Sequence, residues 1–300
     1  MLLPAEFQPH LALRPYVKCY WTITGSAPAD GSEGTHGRPV QFLPDSSLKL
    51  SFNLVSPVGF CLHNGRKVNA FRGAVCGALT HNYWVRMAGR VDSIGVQFLP
   101  GGAYPFIPFA VDSLTNAVYD LDQVWGIAGR RFTETLHRPG LDTAGRLELL
   151  EAELLKRLAR FKKCDAVFEY AVGIIAANKG WVSLGALCRQ LALSRRQLER
   201  KFYQKCGMTP KRLCRILRFR HLFEHICAHP AATWADAALC CGYYDQAHLI
   251  RDFNFFTGMS PGAFVREVIR RNRLINWGYD MDALARFGLR GPDQKSPYER

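Results

Sequence analysis

Arg200 and Arg251 stand 51 residues apart in two stretches that repeat each other. Residues 188–210 and 239–261 align at that offset without a gap, so that Leu198 meets Leu249 and Phe202 meets Phe253. Gly207-Met208-Thr209-Pro210 meets Gly258-Met259-Ser260-Pro261. In each copy the two apolar residues lie four apart, on one stripe of a helix, and the arginine between them points away from that stripe. A guanidinium on the outer face of a helix can bond to guanine in a bidentate manner, and a glutamine can do the same to adenine. Arg195 and Arg196 flank the outer face of the first copy; Gln246 and Ala247 stand on that of the second, Ala247 suited to a thymine methyl. The candidate base contacts are therefore Arg195, Arg196, Arg200, Gln246, Ala247 and Arg251. Glu199 and Asp252 lie on or near these faces and are expected to pair with a neighbouring arginine.

Each copy reads as a helix-turn-helix. In the first, a helix over 184–191 is followed by the turn Ala192-Leu193, and Ser194 caps a second helix running to about Lys205. In the second, a helix over 234–241 is followed by Gly242-Tyr243-Tyr244, and Asp245 caps a helix to about Phe256. Gly207 and Gly258 sit past the helix ends, where glycine stops a helix. Between the copies, 211–227 is helical by pattern, and about 17 residues at 1.5 Å each give roughly 26 Å of strut. That length suits two readers in successive major grooves, with bent DNA if the strut is too short. Ser194, Lys201, Lys205, Arg212, Arg215, Arg218 and Arg220 are the candidate phosphate contacts. One or two of the strut arginines are expected to brace the subdomains instead.

The charge points the same way. The chain has 300 residues, 39 basic and 25 acidic. Residues 181–275 hold 16 basic and 6 acidic side chains, whereas 1–180 hold 19 and 15. A concentrated basic segment fits a polyanion partner, because each neutralised phosphate releases counterions. No apolar run approaches the ~20 residues of a membrane span. The N-terminus lacks a basic n-region, so the expected location is the cytoplasm, with ten reduced cysteines.

The repeat resembles the AraC/XylS family of transcriptional regulators over about 165–268. The string Gly242-Tyr243-Tyr244-Asp245-Gln246-Ala247-His248-Leu249-Ile250-Arg251-Asp252-Phe253 carries the likeness, with Leu193 to Phe202 and the two Gly-Met-Thr/Ser-Pro closures. Ala192 departs from the family's usual glycine at the first turn, and Leu222 from its usual alanine. The resemblance implies a sequence-specific regulator bound to double-stranded DNA. It also implies a small-molecule effector in the N-terminal domain and, for an activator, RNA polymerase as a partner.

The first 115 residues read as strands: apolar runs at 17–23, 48–54, 68–79 and 93–99 alternate with turn residues, and Asn64-Gly65 marks a hairpin. Pro15-Tyr16-Val17, Phe42-Leu43-Pro44-Asp45 and Gly95 to Ala103 resemble the companion domain of a bacterial subgroup of the same family. Residues 24–39 read as a loop. The expected fold class is α+β: a β-rich sensor-like domain over 1–145, a linker helix over 146–164, an all-α double helix-turn-helix domain over 165–272 and a tail over 273–300. Leu147, Leu150, Leu154, Leu158 and Phe161 form a stripe on 146–161 that fits either the chain's own core or a homodimer seam.

Other constellations weigh less. His221, His225 and His229 recur every four residues, but a polar helix face explains them better than a metal, and no cofactor is expected. Cys240-Cys241 and Cys188 fit core packing better than redox sensing. His36, His63 and His81 share the β-rich half with Asp45 and Asp92, yet no nucleophile–base set is visible, so an enzyme is not expected. An architectural DNA binder without effector is the remaining alternative, disfavoured by so large a folded N-terminal half.

Overall fold

A computed structural model of the chain describes residues 2–27, 39–56, 58–68, 72–87, 89–229, 231–264 and 266. His36, most of the expected 24–39 loop and the expected tail over 273–300 lie outside the described residues.

Ten strands come first: β1 (Leu2–Phe7), β2 (Val17–Ala27), β3 (Pro39–Phe42), β4 (Lys49–Asn53), β5 (Gly59–Cys61), β6 (Lys67–Val68), β7 (Gly73–Cys76), β8 (Tyr83–Arg86), β9 (Gly89–Phe98) and β10 (Val118–Asp120). They form two antiparallel sheets, ordered β1-β2-β9-β4-β7-β10 and β3-β8-β5-β6. The expected hairpin is β5–β6, with Gly65 at φ +79° in its turn. Among the described residues nine α-helices follow: α1 (Leu121–Trp125), α2 (Ile127–Leu136), α3 (Thr143–Arg160), α4 (Ala166–Ala177), α5 (Leu184–Gln190), α6 (Arg195–Cys206), α7 (Pro210–Ala228), α8 (Trp234–Cys240) and α9 (Gln246–Thr257). None of the described helices is long and apolar enough to cross a membrane.

Strand alternation divides the larger sheet into two faces. Leu50 and Phe52 of β4, with Ile94, Val96 and Phe98 of β9, are all 1% exposed or less and join the same apolar cluster as the helices. Lys49, Ser51, Asn53, Ser93 and Gln97 face the other way, into a cavity of about 140 Å³ between the sheets. The stripe on α3 goes to the first of these cores: Leu150 and Leu154 are fully buried, and Leu147, Leu158 and Phe161 pack beside them. Residues 146–160 are thus a packed element of the chain's own interior.

The strand half and the helical half share one core. Phe168 of α4 is 1% exposed and packs edge-on against Tyr104 at 5.5 Å and Phe202 at 5.2 Å. Glu169 accepts from the hydroxyls of Tyr104 and Tyr16. Removing such buried rings from water contributes roughly 1.5–3 kcal/mol each, and here that gain ties the two halves together.

The repeat is gapless only from Ser194 onward. The caps Ser194 and Asp245 stand 51 apart, but the caps of the preceding helices, Ser183 and Thr233, stand 50 apart. The second turn therefore holds one extra residue. Ala192, at φ +49°, is the counterpart of Gly242, at φ +73°. In both turns the next amide reaches back into the helix: Leu193 N donates to Cys188 O at 3.0 Å and Tyr243 N to Ala238 O at 2.9 Å. An alanine in the left-handed region costs about 1–2 kcal/mol, partly offset in a glycine variant by the entropy of the unfolded chain. Ala192 is exposed and loses no packing. Ala192→Gly is expected to stabilise the protein by up to about 1 kcal/mol, read as a raised denaturant midpoint; a lowered midpoint would refute the strain.

Candidate nucleic-acid interface

Local chemistry sets up two matching helices. Ser194 Oγ accepts from Gln197 N at 3.2 Å while Gln197 Oε1 accepts from Ser194 N at 2.8 Å, a reciprocal cap that starts α6. Asp245 Oδ1 accepts from His248 N at 2.6 Å and starts α9. Gly207 and Gly258, both at φ +74°, stop them. Leu198, Phe202, Leu249 and Phe253 are each 1% exposed or less, as their spacing requires.

The opposite faces are open. Arg195, Arg196 and Arg200 are exposed on α6, and Ala247 and Arg251 on α9, with Gln246 half-buried. Arg195 Nε bonds Glu199 at 3.2 Å, the local pair expected of that carboxylate. Arg251 Nε donates to Ala247 O at 3.3 Å. Tyr244, 87% exposed beside the N-terminus of α9, joins this face. It was missed because it sits in the turn with the extra residue, which a gapless alignment hides.

Four of the candidate phosphate ligands bond carboxylates inside the chain, among them the bracing expected of one or two strut arginines. Lys201 and Lys205 bond Asp165, the cap of α4, at 2.7 and 3.1 Å. Arg215 bonds Asp252 of α9 with two nitrogens, at 3.0 and 2.7 Å. Arg220 crosses to the strand half and bonds Asp45 at 2.9 Å. For Arg215 and Arg220 the cause is the burial of α7: Leu213, Ile216, Phe219, Leu222, Phe223 and Ile226 are at most 2% exposed. A helix packed on so many sides leaves its cations facing protein. Arg212 and Arg218 lie over the Phe255 and Tyr243 rings, at 4.5 and 5.6 Å, and Ser194 remains exposed.

The histidines of α7 gather no metal set. Among the described residues no group of three or more His, Cys, Asp or Glu side chains could hold an ion. His225 stacks on His229 at 4.6 Å, and His221 bonds Glu224. Cys241 is buried, Cys188 half-buried and Cys240 exposed, all as free thiols.

The cavity was not legible as a site. Its apolar walls include Trp21, Phe42, Phe60, Val85 and Met87; its polar floor holds Asp45, Lys49, Tyr83 and Arg220. Lys49 Nζ lies 2.7 Å from Asp45 Oδ2. Burial alone would raise the Asp45 carboxyl, but Lys49 and Arg220 hold it well below the usual range. Burial pushes the Tyr83 hydroxyl up to about 12. Asp45, Lys49 and Arg220 thus lie together against an apolar box.

Residues 187–267 match the family model described as a helix-turn-helix domain. This part of the chain is a helix-turn-helix domain of the AraC type. Residues 5–120 match a second model, described as a domain of unknown function (DUF6597). The HTH-type transcriptional activator RhaS of Escherichia coli O1:K1 is 36% identical over 78 residues, 25% of this chain and 28% of that protein. RhaS of E. coli strain SE11 is 35% identical over the same length. The chain thus spans 28% of the length of these curated relatives. Among solved structures, ToxT from Vibrio cholerae O395 aligns over 76% of this chain and 92% of its own, at 8% identity and a TM-score of 0.42.

Proposed function

We propose that this AraC-type protein is a sequence-specific DNA-binding transcriptional regulator whose α6 and α9 read successive major grooves. The observation that carries the reading is the matched pair of helices, each capped at its start, each burying Leu and Phe and each exposing arginine on the opposite face. Arg195, Arg196 and Arg200 read one half-site; Gln246, Ala247 and Arg251 read the other. Ser194, Arg212 and Arg218 are the phosphate contacts retained. The α7 strut has 19 residues, about 28 Å at the usual helical rise.

Selection from a duplex library with 30 random base pairs tests this (a length of about three helical turns). A two-part motif with half-sites about one turn apart is the expected product. Affinity for it falls steeply between low and physiological salt, as counterions released by bound phosphates require. Absence of any enriched motif, with a flat salt response, overturns the reading.

The strand half acts as the sensor, and the cavity supports this over an architectural role. A space near 140 Å³ is about what one aromatic ring occupies. The charged lining, Lys18, Lys49 and Arg220 against Glu6 and Asp45, favours a monoanion. Phenylacetate is expected to raise the melting temperature in a saturable way, the stabilisation reaching about 2.7 kcal/mol at a hundred times its Kd. Phenylacetamide, lacking the charge, is expected not to, and Lys49→Met is expected to abolish the acid's effect. Equal stabilisation by acid and amide would rule out charge recognition.

A further inference from the structure

We infer that Asn82 and Thr115, both in the strand half, are positioning residues that fix the spacing between the two recognition helices and so the spacing of the half-sites they accept. The inference rests on the DNA-reading role of α6 and α9.

The two residues grip equivalent places in the repeat. Thr115 Oγ1 donates to the carbonyl of Gly207, immediately past α6, at 2.6 Å. Asn82 Nδ2 donates to the carbonyl of Thr257, the last residue of α9, at 3.0 Å. With the second helices offset by 51, the two carbonyls lie one residue apart in repeat register. Carbonyls at a helix end have no partner within the helix, so a donor from elsewhere pins that end. The α6 grip is close: a Cβ on Gly207 would come within 2.4 Å of Thr115 Oγ1. The α9 grip is buried, Asn82 being 8% exposed. His81 adds to it, its ring 5.0 Å from Phe255 of α9.

Both donors belong to one platform. The segments 77–82 and 114–117 are zipped together. Asn116 Oδ1 accepts from Thr80 N at 2.8 Å and from Thr80 Oγ1 at 3.0 Å. Asn116 N donates to Ala78 O at 3.1 Å and Gly77 N to Ala117 O at 3.0 Å. A Cβ at Gly77 would stand 1.7 Å from Leu114 O, so the two segments approach as closely as only glycine permits. One rigid support therefore holds the ends of both readers, in addition to α7, which joins them along the chain and packs against α9. The same support borders the cavity: Gly77 and Leu79 line it, and Asp45 N donates to Leu79 O at 2.9 Å.

The test is selection from the 30-base-pair random library described above, using the full chain and the variants Thr115→Val, Asn82→Leu and Thr115→Ser, with far-UV circular dichroism and thermal melts alongside. Wild type is expected to enrich two half-site motifs at one separation. Thr115→Val and Asn82→Leu are expected to enrich the same motifs, with preference for that separation over one base pair more or less reduced roughly fivefold, the scale of one net hydrogen bond. Thr115→Ser, which keeps the hydroxyl, is expected to behave as wild type. Should Asn82→Leu unfold, Thr115→Val with its serine control decides alone. A separation as sharp in the folded valine variant as in wild type overturns the inference, and so does a change of the half-site motifs themselves. A wild type that enriches no paired motif removes the DNA reading and this inference with it; paired motifs with unaltered spacing in the variants remove this inference alone.

Discussion

Arg215→Met is expected to destabilise the protein by about 3–5 kcal/mol, the usual consequence of leaving a buried charge without its partner. Asp252 is 3% exposed, and its Oδ1 takes both Arg215 nitrogens. Its Oδ2 is buried with no hydrogen-bond partner among the described residues. Methionine keeps much of the arginine's apolar length, so the loss is electrostatic. The double variant Arg215→Met/Asp252→Leu is expected to recover most of the stability, because a well-packed apolar pair often equals a buried ion pair. Denaturant midpoints of the single and double variants check this. A single-variant loss below about 1 kcal/mol would mean that the pair behaves as a solvated one.

Arg200→Ala and Arg251→Ala are expected to lower affinity for the selected DNA by about 1–3 kcal/mol each, tenfold to more than a hundredfold. Each is expected to relax base preference in its own half-site and leave the other unchanged. Both side chains are exposed, and the bond from Arg251 Nε to Ala247 O stays within its own helix. The readout is quantitative binding across a base-substituted series. A loss uniform over all sequences would assign them to phosphate. The double variant is expected to lose about the product of the two factors, since the residues lie on separate helices with no shared partner.

What the sequence disclosed was local. Ser194, Asp245, Gly207 and Gly258 act within one helical turn of themselves, so both recognition helices and their faces were readable from residue types. The strand half was readable as strands but not as two sheets: β2 pairs with β9 some seventy residues away, and the short β8 (Tyr83–Arg86) was not seen. Which strut arginines brace the subdomains was not readable, because periodicity marks which faces of α7 are apolar, not what packs over the polar ones. Arg220 meets Asp45 across 175 residues, a pairing no local pattern announces. The extra turn residue was hidden for a simpler reason: the stronger match after Ser194 fixed the register for the weaker helix before it. The cavity draws its walls from strands in both sheets, so it exists only after long-range assembly.

The single core that runs from β4 and β9 through α3 and α4 to α6 and α7 governs what can be cut from this protein. A fragment beginning at Asp165 would uncover Phe168 and Val172, which here lie against Gly101 and Tyr104, and would strip Lys205 of the ring it caps. Its fresh apolar surface would favour self-association over solubility. Exchange of this helical half onto a foreign sensor would meet the same obstacle, so grafting succeeds only where the donor also supplies the platform and the rings beneath α4.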